Sequence, residues 1–504
     1  MIFLNIQKKR KIHFFLLLTI FFLGVFFRFY NYSNRISMGA DSNRDAFVAI
    51  EGARQFQLPI VGPFTSIGPI ITGPWYWWQL IFSRIIIPTP YTPWIYMGFL
   101  SIILIIIFYR IGVLLESEIF GLILALIAAF SPEQIVTAYQ LNNPVIIGFY
   151  STLILWIFLE IIIKHRKSYW GYLFGIACGI TITTHYQTIP LFALLFAVLI
   201  FRRFKTFYQA LFGFIITLVP LIFFESNNHW FNTRNIIDYY LYGQYRIWVS
   251  ARWLTFITDF WPRFWSFVIG GTPYFGAFFM ILTPIVLVKK FINENEKKLL
   301  LLVLGITFLI GVIFVRYYRG EKYFGYLRFF HPYIFLFTGY VLYAFYRKKL
   351  VFGFIATILY LYLVIPSSIN ALKADNLTVD IFSVYNKIVS EWGNKEYAIY
   401  NCLDTDINRG RGLNLLFVLK GNYNPNSNNK LLYYYGACRL PNFVKENKII
   451  NPDLYKQNDL YPRIDIFYDV SAASEAAILE KGGVKFTTSN EYHRAAKWWF
   501  DEKP

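Results

Sequence analysis

Stretches of about 20 nearly uncharged residues recur along the first 370 positions of this chain, and few folds can accommodate that pattern. Residues 12–30, 94–115 and 119–138 are three of these runs, each about as long as one bilayer-spanning helix requires. Hydrophobic residues make up 56% of the 504, and mean hydropathy is +0.44, which excludes an ordinary soluble domain. Only 15% of residues are charged, and they gather in the short breaks between runs.

A net charge of +19 would suit a nucleic-acid binder, but the basic residues form no stripe and no RNA- or DNA-binding motif accompanies them. They cluster instead where short cytoplasmic loops would fall. Threading gives about eleven spans, near 12–30, 93–113, 119–137, 144–163, 169–185, 187–201, 208–224, 272–288, 299–315, 331–346 and 350–367. Lys8–Lys11, Lys164–Lys167, Arg202–Lys205, Lys289-Lys290 with Lys297-Lys298, and Arg347–Lys349 then share one side. The N-terminus is expected in the cytoplasm, its first span retained because no small-residue cleavage site follows Phe27-Arg28-Phe29-Tyr30. Two long loops, about 31–92 and 225–271, and the C-terminal part then face outward across the plasma (inner) membrane. Aromatics, 21% of the chain, crowd the span ends, as interfacial belts do.

After about Pro366 the texture changes. Residues 376–392 read as an amphipathic helix, while Tyr397–Tyr400, Leu431–Tyr435 and Ile464–Tyr468 read as strands. Ser471 to Glu480, closed by Gly482-Gly483, has a helix start and a helix stop. The expected fold is thus an all-α polytopic membrane domain, 1–370, followed by a small extracytoplasmic α/β domain, 371–504. From its position, that domain is expected to select the acceptor. Outside the cytoplasm Cys402 and Cys438 are free to pair, and two unrelated thiols fit the sequence equally well. No metal-ligand spacing exists around the three cysteines.

The first outer loop carries the densest chemistry: Gly39-Ala40-Asp41-Ser42-Asn43-Arg44-Asp45-Ala46, then Ala49-Ile50-Glu51-Gly52-Ala53-Arg54. On a helix Asp41 and Asp45 share a face, as do Arg44 and Glu51. Spacing alone fits an ion-paired juxtamembrane helix as well as a catalytic one. Gly73-Pro74-Trp75-Tyr76-Trp77-Trp78 follows, a turn leading into an aromatic interfacial segment.

Together these strings resemble the bacterial protein O-mannosyltransferase and lipid A aminoarabinose transferase group of the GT-C glycosyltransferase superfamily. That group has a D-E-x-R-Y-A-like string after the first span, matched here by Asp41, Arg44 and Ala46. A later (K/G)-P-(P/x)-x-Y-W-like string is matched by Gly73, Pro74, Tyr76 and Trp77. The resemblance implies an inverting transferase that takes a sugar from a polyprenyl-phosphate carrier on the extracytoplasmic side. Asp41 is the implied general base, with Asp45 as runner-up, positioning the acceptor or pairing with Arg44.

Donor-phosphate or substrate contacts are expected from Arg44, Asn143, His185, Arg319 and Arg328. Arg328 precedes His331-Pro332 as in an R-Y-x-x-P-like string of relatives, and Arg234, Arg246, Arg252, Arg263, Arg316 and Lys322 are further cations near the outer face. Two departures stand out. Ser42 replaces a glutamate, and Asn143 in Leu141-Asn142-Asn143-Pro144 replaces an aspartate, which removes an ionisable group. No cofactor or metal is therefore expected to be required. Expected partners are membrane lipids, the polyprenyl-phosphate sugar, and a lipid, glycan or protein acceptor. A transporter or flippase is the main competing reading, but it would call for charged or broken mid-membrane helices and an internal repeat.

Overall fold

A computed structural model describes residues 2–243, 253–293, 297–318, 322–403, 407–435, 466–480 and 483–496. Their contacts divide into two compact units. A helical unit spans 1–32, 60–76 and 95–373; an α/β unit combines 33–59 and 77–94 with 374–504.

In the helical unit, seven helices among the described residues are long and apolar enough to cross a membrane: Lys11–Phe29, Thr92–Leu115, Val145–Ile163, Phe204–Asn227, Pro273–Asn293, Lys298–Tyr317 and Leu350–Asn370. Shorter apolar helices, Glu118–Phe130, Trp170–Thr184 and Tyr186–Ile200, fill three of the remaining expected positions, and His331–Lys348 fills the tenth. Chain pieces of 20 or so apolar residues form helices here because hydrocarbon offers backbone amides no other partner.

The third expected span differs. Its helix stops at Phe130, and a short helix, Pro132–Thr137, restarts at an angle set by Ser131. Pro132 cannot donate to the preceding turn, and the Ser131 hydroxyl accepts from the Gln134 amide at 3.2 Å, so a new N-terminus is made. Glu133 and Gln134 thereby leave the apolar span and enter a polar cluster.

Arg28, near the end of the first span, is fully buried. Its guanidinium donates to the carbonyls of Gly24 (3.1 Å), Ser101 (3.2 Å), Ala128 (2.9 Å) and Ala129 (3.1 Å) and to the Ser101 hydroxyl (2.8 Å). It thus ties three helices at the place where the third one breaks. Lys290, expected among free basic residues, is instead buried in an ion pair with Glu116 at 2.6 Å.

The α/β unit holds a four-stranded sheet, β1 (Ala398–Leu403), β2 (Lys430–Tyr435), β3 (Ile466–Asp469) and β4 (Val484–Lys485), in the order β3-β2-β1-β4. Strands β1 and β2 run parallel; the two outer pairings are antiparallel. Helix Asn376–Trp392, capped by Asp375, occupies the expected 376–392. The later helix starts at Glu475 rather than Ser471, because Ser471 turns back to bond the Asp469 carboxylate. Two helices were not expected, Ile407–Lys420 and Thr488–Ala496, and both pack on the first-loop helix Ala40–Gln55.

Replacing Arg28 by leucine should cost about 2 kcal/mol, the scale of leaving one or two buried acceptors unsatisfied. The expected outcome is a lower melting temperature of the purified protein, and an unchanged one would remove Arg28 from its structural role.

Candidate functional site

The first-loop helix Ala40–Gln55 begins after Gly39, carries Asp41 in its first turn and Arg54 in its last, and so complements its own dipole. It lies close against the segment after Trp77: a Cβ on Gly52 would sit 2.7 Å from Ile81 Cδ1 and 3.0 Å from the Gln57 carbonyl. A larger residue there would have to displace the Ile81 side chain.

Four side chains interlock on this helix and its neighbour. Arg44 donates Nη1 to Asp41 Oδ1 at 2.9 Å, Nε to Asp45 Oδ1 at 2.8 Å and Nη2 to Asp45 Oδ2 at 3.2 Å. The Trp77 indole adds a 2.8 Å bond to Asp45 Oδ1. The two aspartates end up in opposite circumstances. Asp45 is wholly buried, whereas the Asp41 side chain is 60% exposed and its Oδ2 accepts no hydrogen bond from any described residue. Burial pushes the Asp45 carboxyl above the usual aspartate value, against the opposing charge and hydrogen bonds of Arg44. Asp45 therefore serves as the anchor for Arg44, and Asp41 presents a free oxygen.

Arg44 and Glu51 do not meet. Glu51 is buried where the helix packs on the C-terminal segment, and it accepts from Arg54, Gln55 (2.5 Å) and Thr488 Oγ1 (3.0 Å). Burial drives its carboxyl up, yet those hydrogen bonds together bring it below the ordinary 4.5. Phe47 packs at a tilt against Phe486 nearby, with centroids 5.5 Å apart.

A second polar cluster stands in the helical unit. Arg328, buried in the turn before His331–Lys348, donates Nε to Glu133 at 2.7 Å and Nη2 to Gln140 at 2.9 Å. Gln134 bonds His331 Nδ1 at 2.9 Å, and the opposite nitrogen, Nε2, is buried without a partner. Asn143 Nδ2 donates to the Thr184 carbonyl at 3.0 Å, joining two turns. His185 lies 5.0 Å, ring to ring, from Tyr326, and its Nδ1 is also buried without a partner. The charge of Arg328 acts on both histidines. Three turns thus bring Glu133, Gln140, Asn143, His185, Arg328 and His331 to one polar end of the unit.

Solved structures share this architecture. ArnT from Cupriavidus metallidurans bound to undecaprenyl phosphate is 12% identical, with 93% of this chain and 99% of that one covered at a TM-score of 0.54. Its apo state gives 13%, the same coverage and 0.53. The chain has the GT-C fold. The apo oligosaccharyltransferase of Archaeoglobus fulgidus matches at 12% identity and a TM-score of 0.50, over 81% of this chain. The chain spans only 64% of that protein's length. No protein-family model and no curated protein matches the chain. A GT-C architecture with this many apolar helices makes the chain an integral membrane protein.

Within the GT-C fold, the expected site residues separate by unit. Asp41, Arg44, Asp45 and Trp77 assemble in the α/β unit; Asn143, His185 and Arg328 assemble in the helical unit. Pro74 and the fully buried Tyr76 belong to the helical unit. Arg319, Arg246, Arg252 and the Cys402–Cys438 pairing lie outside the described residues and side chains. Arg316 is buried with its guanidinium 5.0 Å from the Trp253 ring centroid, and Arg263 pairs with Asp259 at 2.7 Å. Sequence reading overlooked Glu133, Gln134 and Gln140. The signal was present, since Ser131-Pro132 followed by two polar residues interrupts an otherwise apolar run.

Because the folded Glu51 carboxyl lies below its unfolded value, its contribution is full above about pH 4.5 and is lost as pH falls through the folded value. Glu51→Gln should lower the melting temperature at pH 7, by about 1–2 kcal/mol of stability. Melting curves of both proteins should converge as the pH drops below 4.5, and a difference that persists in acid would refute the assignment.

Proposed function

We propose that this protein is an inverting glycosyltransferase that moves a sugar from a polyprenyl-phosphate carrier to an acceptor hydroxyl on the extracytoplasmic side of the plasma (inner) membrane. The observation that carries the reading is the asymmetric Asp41–Arg44–Asp45 clamp. One carboxylate is spent on fixing the arginine, and the other keeps an oxygen open. Such an oxygen accepts the acceptor's proton as the hydroxyl attacks the anomeric carbon. The bond from that carbon to the phosphate oxygen breaks on the opposite face, and its electron pair stays on the phosphate. Within the helical unit, Arg328, with His185 and Asn143 beside it, offers donors suited to a carrier phosphate.

ArnT was solved bound to undecaprenyl phosphate, and the oligosaccharyltransferase in complex with an inhibitory peptide and a dolichol-phosphate, which supports a lipid-phosphate donor here. No metal is assigned a role: Asn143 cannot ionise. The acceptor is a lipid, glycan or protein chosen by the extracytoplasmic part of the chain, 371–504.

Transfer of labelled sugar from a panel of polyprenyl-phosphate sugars tests the proposal. Asp41→Asn should lose about 100- to 10,000-fold in rate with donor binding kept, the usual range for a general base. Asp45→Asn should lose less, through a loosened Arg44. Loss confined to Asp45→Asn would move the base, and a wild type that neither binds nor uses any donor would favour a transporter. An alkaline phosphatase reporter should be active when fused after residue 504 and inactive after Lys349; the reverse pattern would overturn the orientation.

A further inference from the structure

Glu133 is a buried carboxylate with no part in the transfer as proposed. It lies 2.7 Å from Arg328, and the two side chains are 3% and 5% exposed. No other carboxylate among the described residues pairs with that arginine. Gln140 takes a second nitrogen, Nη2. The Nη1 end of the guanidinium is left without a protein partner among the described residues, so the plane is fixed and one end is offered to a ligand.

Two consequences follow from elementary electrostatics. A fixed guanidinium loses little freedom on binding an oxyanion. A carboxylate beside it also cancels much of its long-range attraction, so the pair favours a ligand through hydrogen bonds more than through net charge. One negative charge is tolerated; a second meets Glu133 uncompensated. In the proposed reaction the donor is a phosphodiester with one negative charge. The released carrier is a phosphomonoester, which carries close to two at neutral and higher pH.

Resting on that reading, we infer that Glu133, with Gln140, positions Arg328 and offsets its charge, so that the site holds the phosphodiester donor and releases the phosphomonoester product. Glu133 is a positioning residue. It touches neither the anomeric carbon nor the acceptor.

The test uses the full chain in lipid nanodiscs at pH 8 and three probes: undecaprenyl phosphate, its monomethyl ester, and undecaprenol. Wild type should bind the methyl ester at least about tenfold more tightly than the phosphate, a modest share of one uncompensated charge in a partly screened site. In Glu133→Gln that ratio should collapse towards one or invert, and Glu133→Asp should restore it. Gln140→Glu, which adds a charge instead of removing one, should widen the ratio and provides a second arm if Glu133→Gln does not fold. A purely structural Glu133 would weaken both phosphate probes equally and leave the ratio alone, and that result would overturn the inference. So would a wild-type ratio of one. If wild type binds neither phosphate better than undecaprenol, the failure lies earlier, in the assignment of Arg328 to the donor phosphate.

Discussion

Polar chemistry inside a helical unit built for hydrocarbon is possible only where each charge brings its partner with it. The chain obeys this at several points. Lys290 is buried with Glu116 and Arg328 with Glu133, while the buried Glu160 is met by the exposed Arg110 and Arg166. Arg28 has no carboxylate and is satisfied by backbone carbonyls and a serine. These pairs decide where helices break and which turns can approach one another. The Ser131-Pro132 break is an example, because it converts the end of an apolar span into the source of the arginine's counterion.

The α/β unit follows the same rule with a different purpose. Asp45 and Glu51 are both buried, yet their carboxyls shift in opposite directions. Glu51 is surrounded by enough donors to hold its charge. Asp45 has Arg44 and Trp77, which do not outweigh its desolvation. Asp45 is thus held at a desolvation cost by Arg44 and Trp77, while its neighbour Asp41 keeps an exposed oxygen.

Much of this was legible in the chain itself. Each of the eleven expected apolar runs falls on helix, the third on two helices broken at Ser131, and the pairing of Asp45 with Arg44 was among the readings the sequence offered. Other features were hidden for physical reasons. Ile407–Lys420 contains Gly410 and Gly412, which argue against a helix, but packing overrides propensity: a Cβ on Gly412 would lie 2.4 Å from Ile381 Cδ1. Trp77 was matched to the aromatic string, but nothing in its spacing signals a hydrogen bond to Asp45. Glu133 was absorbed into a span because a window of hydropathy averages over a single charge.

The helix that bears Asp41 is held by residues more than 400 positions later, through Glu51 with Thr488 and Phe47 with Phe486. The tail of the chain is thus the bed on which the first-loop helix rests. Recombination among relatives that exchanged the tail alone would leave that helix without its counterpart. Exchange succeeds only if both pieces travel together, so the first-loop helix and its distant bed constrain each other's substitutions.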